Sequence, residues 1–253
     1  MTEWDGPALA HLEAVIGRLD ELGVPTVMGQ LIGRVFRRNV ARHEPSEFGD
    51  TTQGLALMCA INISQLVPRH YADYDVTAAG PIRAGLPESN SLLLRACGID
   101  LRVRKAPGDT LNPRWAAFSW QESDGVGRHQ AAEANTSAYQ PTASDQDGRP
   151  ATLDPGTLFA LDDPTALRQV VLAWAGDLDT GLTAGWLGFP CTGIPSWFAV
   201  TPLWREEPGA DTRPADLGPA PLTPPGSYTD QPEPSVNIGL RRPTGQPDRT
   251  GQT

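Results

Sequence analysis

The chain has 253 residues, a formal net charge of -10 and an apolar fraction of 39%. That composition allows one large domain or two small ones, with an ordinary core confined to residues 1–204. The dispersed acidic balance argues against general affinity for nucleic acid or anionic lipid. No stretch approaches a membrane span or follows the layout of a secretory leader, so the expectation is a soluble, cytoplasmic protein with no membrane association.

Residues 7–22 read as a first helix, because Leu9, Leu12, Val15, Ile16, Leu19 and Leu22 recur at three- and four-residue steps and Gly23 stops the pattern. Pro25 opens a second helix over residues 26–42. Its apolar side is Val27, Leu31, Val35 and Val40, and Arg34, Arg38 and Arg42 line another side at i, i+4 spacing. Gly29 and Gly33 lie four apart and offer a neighbouring helix a close approach. A capping box from Asp50 to Gln53 begins a third helix that Pro68 ends. This helix is apolar over a wide arc and is expected to be the most buried of the three.

After a mixed connection over residues 69–90, Ser91-Leu-Leu-Leu-Arg-Ala-Cys-Gly-Ile-Asp-Leu-Arg-Val-Arg-Lys105 reads as two strands folded back at Cys97-Gly98. Ile99, Leu101 and Val103 alternate with Asp100, Arg102 and Arg104, the period of a half-buried strand. Trp115, Phe118 and Trp120 suggest a further short strand, and residues 128–139 a short alanine-rich helix packed on a sheet. Residues 141–155 read as loop. From Val170 onward three apolar runs joined by short turns form an antiparallel meander ending at Trp204. The fold class is therefore α+β: a three-helix segment over residues 1–68, then a mainly antiparallel sheet of about five strands with one further helix over 69–204, sharing one domain. Residues 205–253 hold ten of the 25 prolines and almost no large apolar side chains, so they are expected to be a disordered tail.

The chemistry-bearing patterns are sparse. Cys59, Cys97 and Cys191 are odd in number, far apart and set in apolar surroundings, which suits core filling rather than disulfides or zinc. The four histidines lack metal-ligand spacing; His129 and Glu133 share a helix face at i, i+4 and read as a surface pair, so neither metal nor cofactor is expected. No phosphate-loop or nucleophile-elbow signature occurs. Gly125-Val-Gly127-Arg128 has the character of an anion site at a helix start, but no strand of a parallel unit is evident before it. A metal-dependent nuclease core would place carboxylates and a lysine on adjacent strands, for which Asp100, Lys105 and Glu88 are the available residues; the acid-x-Lys spacing itself is missing. Lys105 is the only lysine, and the arginine-rich remainder suits a GC-rich genome. Arg34, Arg37, Arg38 and Arg42 would serve a nucleic-acid binder, though they equally complement a helix C-terminus. In the tail, Val236, Ile238, Leu240, Arg241 and Arg242 form an apolar-basic island suited to docking on a partner.

The layout of Ile99-Asp-Leu-Arg-Val-Arg104, the helix exit at Tyr139-Gln-Pro141, Thr157-Leu-Phe159 and the Val170 to Trp174 strand resembles uncharacterised actinobacterial proteins encoded beside helix-turn-helix regulators and IrrE-like zinc peptidases. The resemblance spans roughly residues 90–204 and implies context only: a regulatory or mobile-element setting. The expectation is a non-catalytic regulatory or interaction protein with a protein partner, presenting an aromatic surface drawn from Trp174, Trp186, Trp197 or Trp204. A nuclease or other hydrolase centred on residues 91–105, and a DNA-binding regulator, are the alternatives.

Overall fold

The structure, a computed structural model, describes residues 4–72, 82–86, 92–108, 110–121, 125–141 and 163–208. All belong to one unit, residues 1–212. Four helices come first: α1 (Gly6–Glu21), α2 (Val24–Val40), the single turn α3 (Pro45–Phe48) and α4 (Thr52–Ala72). Strands β1 (Arg83–Gly85), β2 (Leu93–Ala96) and β3 (Ile99–Lys105) follow, then α5 (Val126–Ala138) and the strands β4 (Gln169–Gly176), β5 (Thr183–Pro190) and β6 (Trp197–Arg205). The fold is α+β, with one mixed six-stranded sheet in the order β1-β2-β3-β4-β5-β6. The expected docking island Val236–Arg242, Glu88 and the expected disordered tail beyond Pro208 lie outside the described residues.

Helix α1 starts where Asp5 caps it, its carboxylate accepting from the Ala8 amide at 2.8 Å and from the Tyr139 hydroxyl at 2.6 Å. The Asp5 amide donates to Phe198 O, which ties this helix start to β6. Gly23, at φ 69°, supplies the left-handed joint into α2. Helix α2 buries Val24, Met28, Leu31, Ile32, Val35 and Phe36. Gly29 and Gly33 admit the end of the sheet rather than a helix: the Trp204 ring lies against Gly29, and the Arg37 and Glu206 side chains meet over Gly33.

The Cys97-Gly98 turn joins β2 to β3 with both residues at positive φ (53° and 73°), the conformation that matches strand twist in a two-residue hairpin. Strands β4 to β6 form the expected antiparallel meander. Between the two antiparallel groups, β3 and β4 run parallel, with Asp100 beside Gln169 and Lys105 beside Trp174. Helix α5 lies in the connection between them. One face of the sheet carries Ile99, Leu101, Val170, Leu172 and Trp174 against α1, α2 and α4 in a single core. The other face carries Val171, Ala173 and Ala175 against Ala132 of α5 and an aromatic group built on Phe118, Trp120 and Trp197.

Four local expectations change. The Trp115 segment forms a 3₁₀ turn, Trp115–Ala117, not a strand. Thr51, not Asp50, caps α4, accepting from the Gly54 amide at 3.0 Å, while Asp50 accepts from the Glu44 amide at 2.9 Å. Pro68 lies inside α4, which continues to Ala72, and α4 is not the most buried helix. Its buried residues are the single stripe Leu55, Cys59, Ile63, Val67 and Tyr71.

Candidate protein-interaction surface

Helix α4 carries no charged side chain from Thr52 to Pro68. Such a helix, apolar around most of its circumference, is expected to be covered on both sides. The described residues cover one side, where the 55/59/63/67/71 stripe meets the core. On the opposite side Leu57, Met58 and Ile61 remain 60%, 49% and 46% exposed, and Phe48 on the preceding turn is 72% exposed. Gly54, Leu57, Met58, Ile61 and Gln65 follow steps of three, one, three and four residues, the spacing of a seam that meets another helix. Large exposed apolar groups gathered on one element mark an interaction site far better than the same groups scattered singly.

A second apolar feature lies on the far face of the sheet. Trp115, Phe118, Trp120, Cys191, Ile194 and Pro195 line a cleft of about 670 Å³. The Trp120 indole donates to Ser196 O at 2.6 Å, and the Ser196 hydroxyl donates to Phe118 O at 2.8 Å, so two bonds latch the cleft walls. Asn135, buried at 1% exposure on α5, bonds to Pro190, the residue before Cys191 of the cleft. Its amide donates to Gln169 O at 2.7 Å and to Pro190 O at 3.0 Å, and its carbonyl accepts from the Gln169 amide at 3.2 Å. This one residue therefore fixes the start of β4 against the end of β5. The sequence signal for it, a lone asparagine on an alanine-rich helix face, is too common to single out.

The residues considered for a nuclease centre do not converge. Asp100 and Lys105 stand five positions apart on β3, about 17 Å along the strand and on opposite faces of the sheet. Asp100 accepts from Arg95 Nε at 3.0 Å and from Gln169 Nε2 at 3.4 Å, and Arg102 donates to the same Gln169 side chain. Burial lowers the pKa of Arg102. Lys105 Nζ donates to Gly108 O at 2.8 Å. Of the arginines on α2 and in the turn after it, Arg34, Arg38 and Arg42 are exposed, whereas Arg37 pairs with Glu206 at 2.9 Å. His129 and Glu133 approach to 3.2 Å, and His129 Nδ1 donates to Trp120 O at 2.6 Å. Among the described residues no group of three His, Cys, Asp or Glu side chains is arranged to hold a metal ion.

The aromatic residues expected on a partner surface fall elsewhere. Trp174 and Trp197 are core residues at 2% and 1% exposure, and Trp186 and Trp204 are half-buried. Two of the three thiols are equally inward: burial pushes the pKa of Cys59 up to about 11 and also raises that of Cys191. Half-buried Cys97 sits at the hairpin turn. No helix among the described residues is long and apolar enough to cross a membrane. Compared with family models, curated proteins and solved structures, the chain finds no match.

Proposed function

We propose that this chain is a non-catalytic regulatory or interaction protein, suited to a transcription-control, defence or mobile-element module, and that it binds a helix of a partner protein along the outer face of α4. The observation that carries the reading is the uncharged, two-sided apolar character of α4 when the described residues cover only one side. Covering Leu57, Met58 and Ile61 from their present exposure would contribute about 1 kcal/mol each, enough with Phe48 to anchor a specific interface. A partner helix fits the three- and four-residue spacing, which an extended strand would not.

Hydroxyl-radical footprinting tests the reading directly. Met58 oxidises readily in the isolated chain and is protected at least several-fold in the complex isolated from the native host. Equal oxidation of Met58 in the two samples would count against α4 as the interface.

A further inference from the structure

We infer that the partner helix is acidic along one flank, and that this flank pairs with a row of arginines on α2 bordering the exposed face of α4. The inference rests on the reading of α4 as the docking face and adds the chemistry of what docks there.

The row is Arg34 and Arg38 on α2 and Arg42 in the turn after it, four residues apart and all exposed. At helical rise it spans about 12 Å, two turns of a neighbouring helix. Two contacts fix its place. Gly29 takes the Trp204 ring at the end of the sheet, and Arg38, nine residues on, lies on the opposite side of the helix. Asn39, the next residue, accepts from Asn62 Nδ2 of α4 at 3.2 Å. Met58 and Gln65 stand one turn before and after Asn62, so the Met58 flank of the exposed α4 face is the one beside α2. A helix seated on α4 at the usual axial separation of about 8–10 Å passes within reach of the Arg38 guanidinium.

The charges of the row are available. Among the described residues no hydrogen bond or ion pair engages Arg34, Arg38 or Arg42, whereas Arg37 holds both Glu206 oxygens, at 2.9 and 3.0 Å. The helix dipole accounts for Arg37 and Arg38 in the last turn, but Arg34 lies a turn earlier. Helix α4 itself carries no charge from Thr52 to Pro68, so apolar contacts alone would leave the seam without a fixed direction. Arginine forks pair with carboxylates in a defined geometry and supply that direction. A nucleic-acid backbone would use the same cations, but the adjoining apolar face and the net charge of -10 both disfavour it.

Fluorescence anisotropy of the full chain with two synthetic helical peptides tests the inference. The peptides share one leucine stripe and carry either glutamate or lysine along its flanks. The net charge of -10 by itself favours the lysine peptide, so a preference for glutamate reports the local row. The glutamate peptide is expected to bind about tenfold more tightly. That preference should vanish in Arg34→Gln/Arg38→Gln/Arg42→Gln, and Leu57→Gln/Ile61→Gln should release both peptides. Equal binding of the two peptides, or a preference for lysine, would overturn the acidic flank; if Leu57→Gln/Ile61→Gln still released them, α4 would stand as the docking face. A glutamate preference that survives Leu57→Gln/Ile61→Gln would separate the row from α4 and overturn the inference. So would binding of a duplex oligonucleotide that the triple arginine variant loses. No binding of either peptide up to about 1 mM would also overturn it, while Met58 protection in the native complex reports on α4 independently.

Discussion

Replacing Asn135 by leucine is the sharpest single perturbation of this fold. The two side chains share the same number and branching of heavy atoms, but leucine is bulkier, so the change removes the hydrogen bonds and adds an overpacking cost at a buried site. Three backbone groups lose their partner: Gln169 O, Pro190 O and the Gln169 amide. A buried backbone group left unsatisfied costs about 1–3 kcal/mol. Gln169 is half-buried and partly reachable by water, which discounts its two groups. The expected loss is therefore about 3–4 kcal/mol, which for a unit of this size lowers the melting temperature by about 10 °C. Circular dichroism melts and urea midpoints read this directly, with an unchanged m-value marking loss of stability rather than loss of compactness. Asn135 also holds Pro190, next to Cys191 of the aromatic cleft, so tryptophan emission from that cluster should shift red in the folded variant. A drop below about 2 °C would refute the reasoning, because it would mean that the three groups find other partners.

Three further outcomes follow from the same geometry. In Gly185→Ala, the added methyl would overlap the Trp204 ring, at a cost of about 2–4 kcal/mol; combining it with Trp204→Leu should cost less than the two changes summed, by double-mutant cycle. A thiol reagent at pH 7.5 should modify Cys97 rapidly and Cys59 and Cys191 only on unfolding, and Cys97→Ser should abolish the fast phase. His11, stacked 5.5 Å from the Phe189 ring, has its pKa lowered, chiefly by burial. Its neutral form is favoured in the folded state, so the stability it contributes is present above pH 6.5 and is lost as pH falls through the lowered value. His11→Gln should accordingly flatten the fall in melting temperature between pH 7.5 and 5 relative to the wild type.

Much of the architecture was legible because it is local. The β2–β3 hairpin announces itself through alternation around Cys97-Gly98, and α1 through its three- and four-residue apolar steps. Direction was harder, since alternation is the same in parallel and antiparallel strands. The available sign was the continuous apolar run Val170-Val-Leu-Ala-Trp-Ala175, typical of a strand covered on both faces as parallel strands are. The aromatic segment in the long β3–α5 connection read as another strand because Trp115, Phe118 and Trp120 favour strands; they fold as a 3₁₀ turn and adjoining loop against Trp197 instead. Helix α4 misled in the opposite sense. Its composition reads as burial over a wide arc, but the described residues bury only the stripe Leu55, Cys59, Ile63, Val67 and Tyr71, because pattern alone does not say which sides of a helix its own chain covers.

The central claim is that α4 meets a partner helix, and the most direct measurement compares stoichiometric co-purification of one protein by the wild type and by Leu57→Asp/Ile61→Asp from the native host. Both side chains are about half exposed or more, so the double variant should melt within about 2 °C of the wild type. Two carboxylates placed in an apolar seam should weaken binding by at least about a hundredfold. One stoichiometric protein should co-purify with the wild type and be lost from the equally stable double variant. Retention of that protein by the double variant would contradict it.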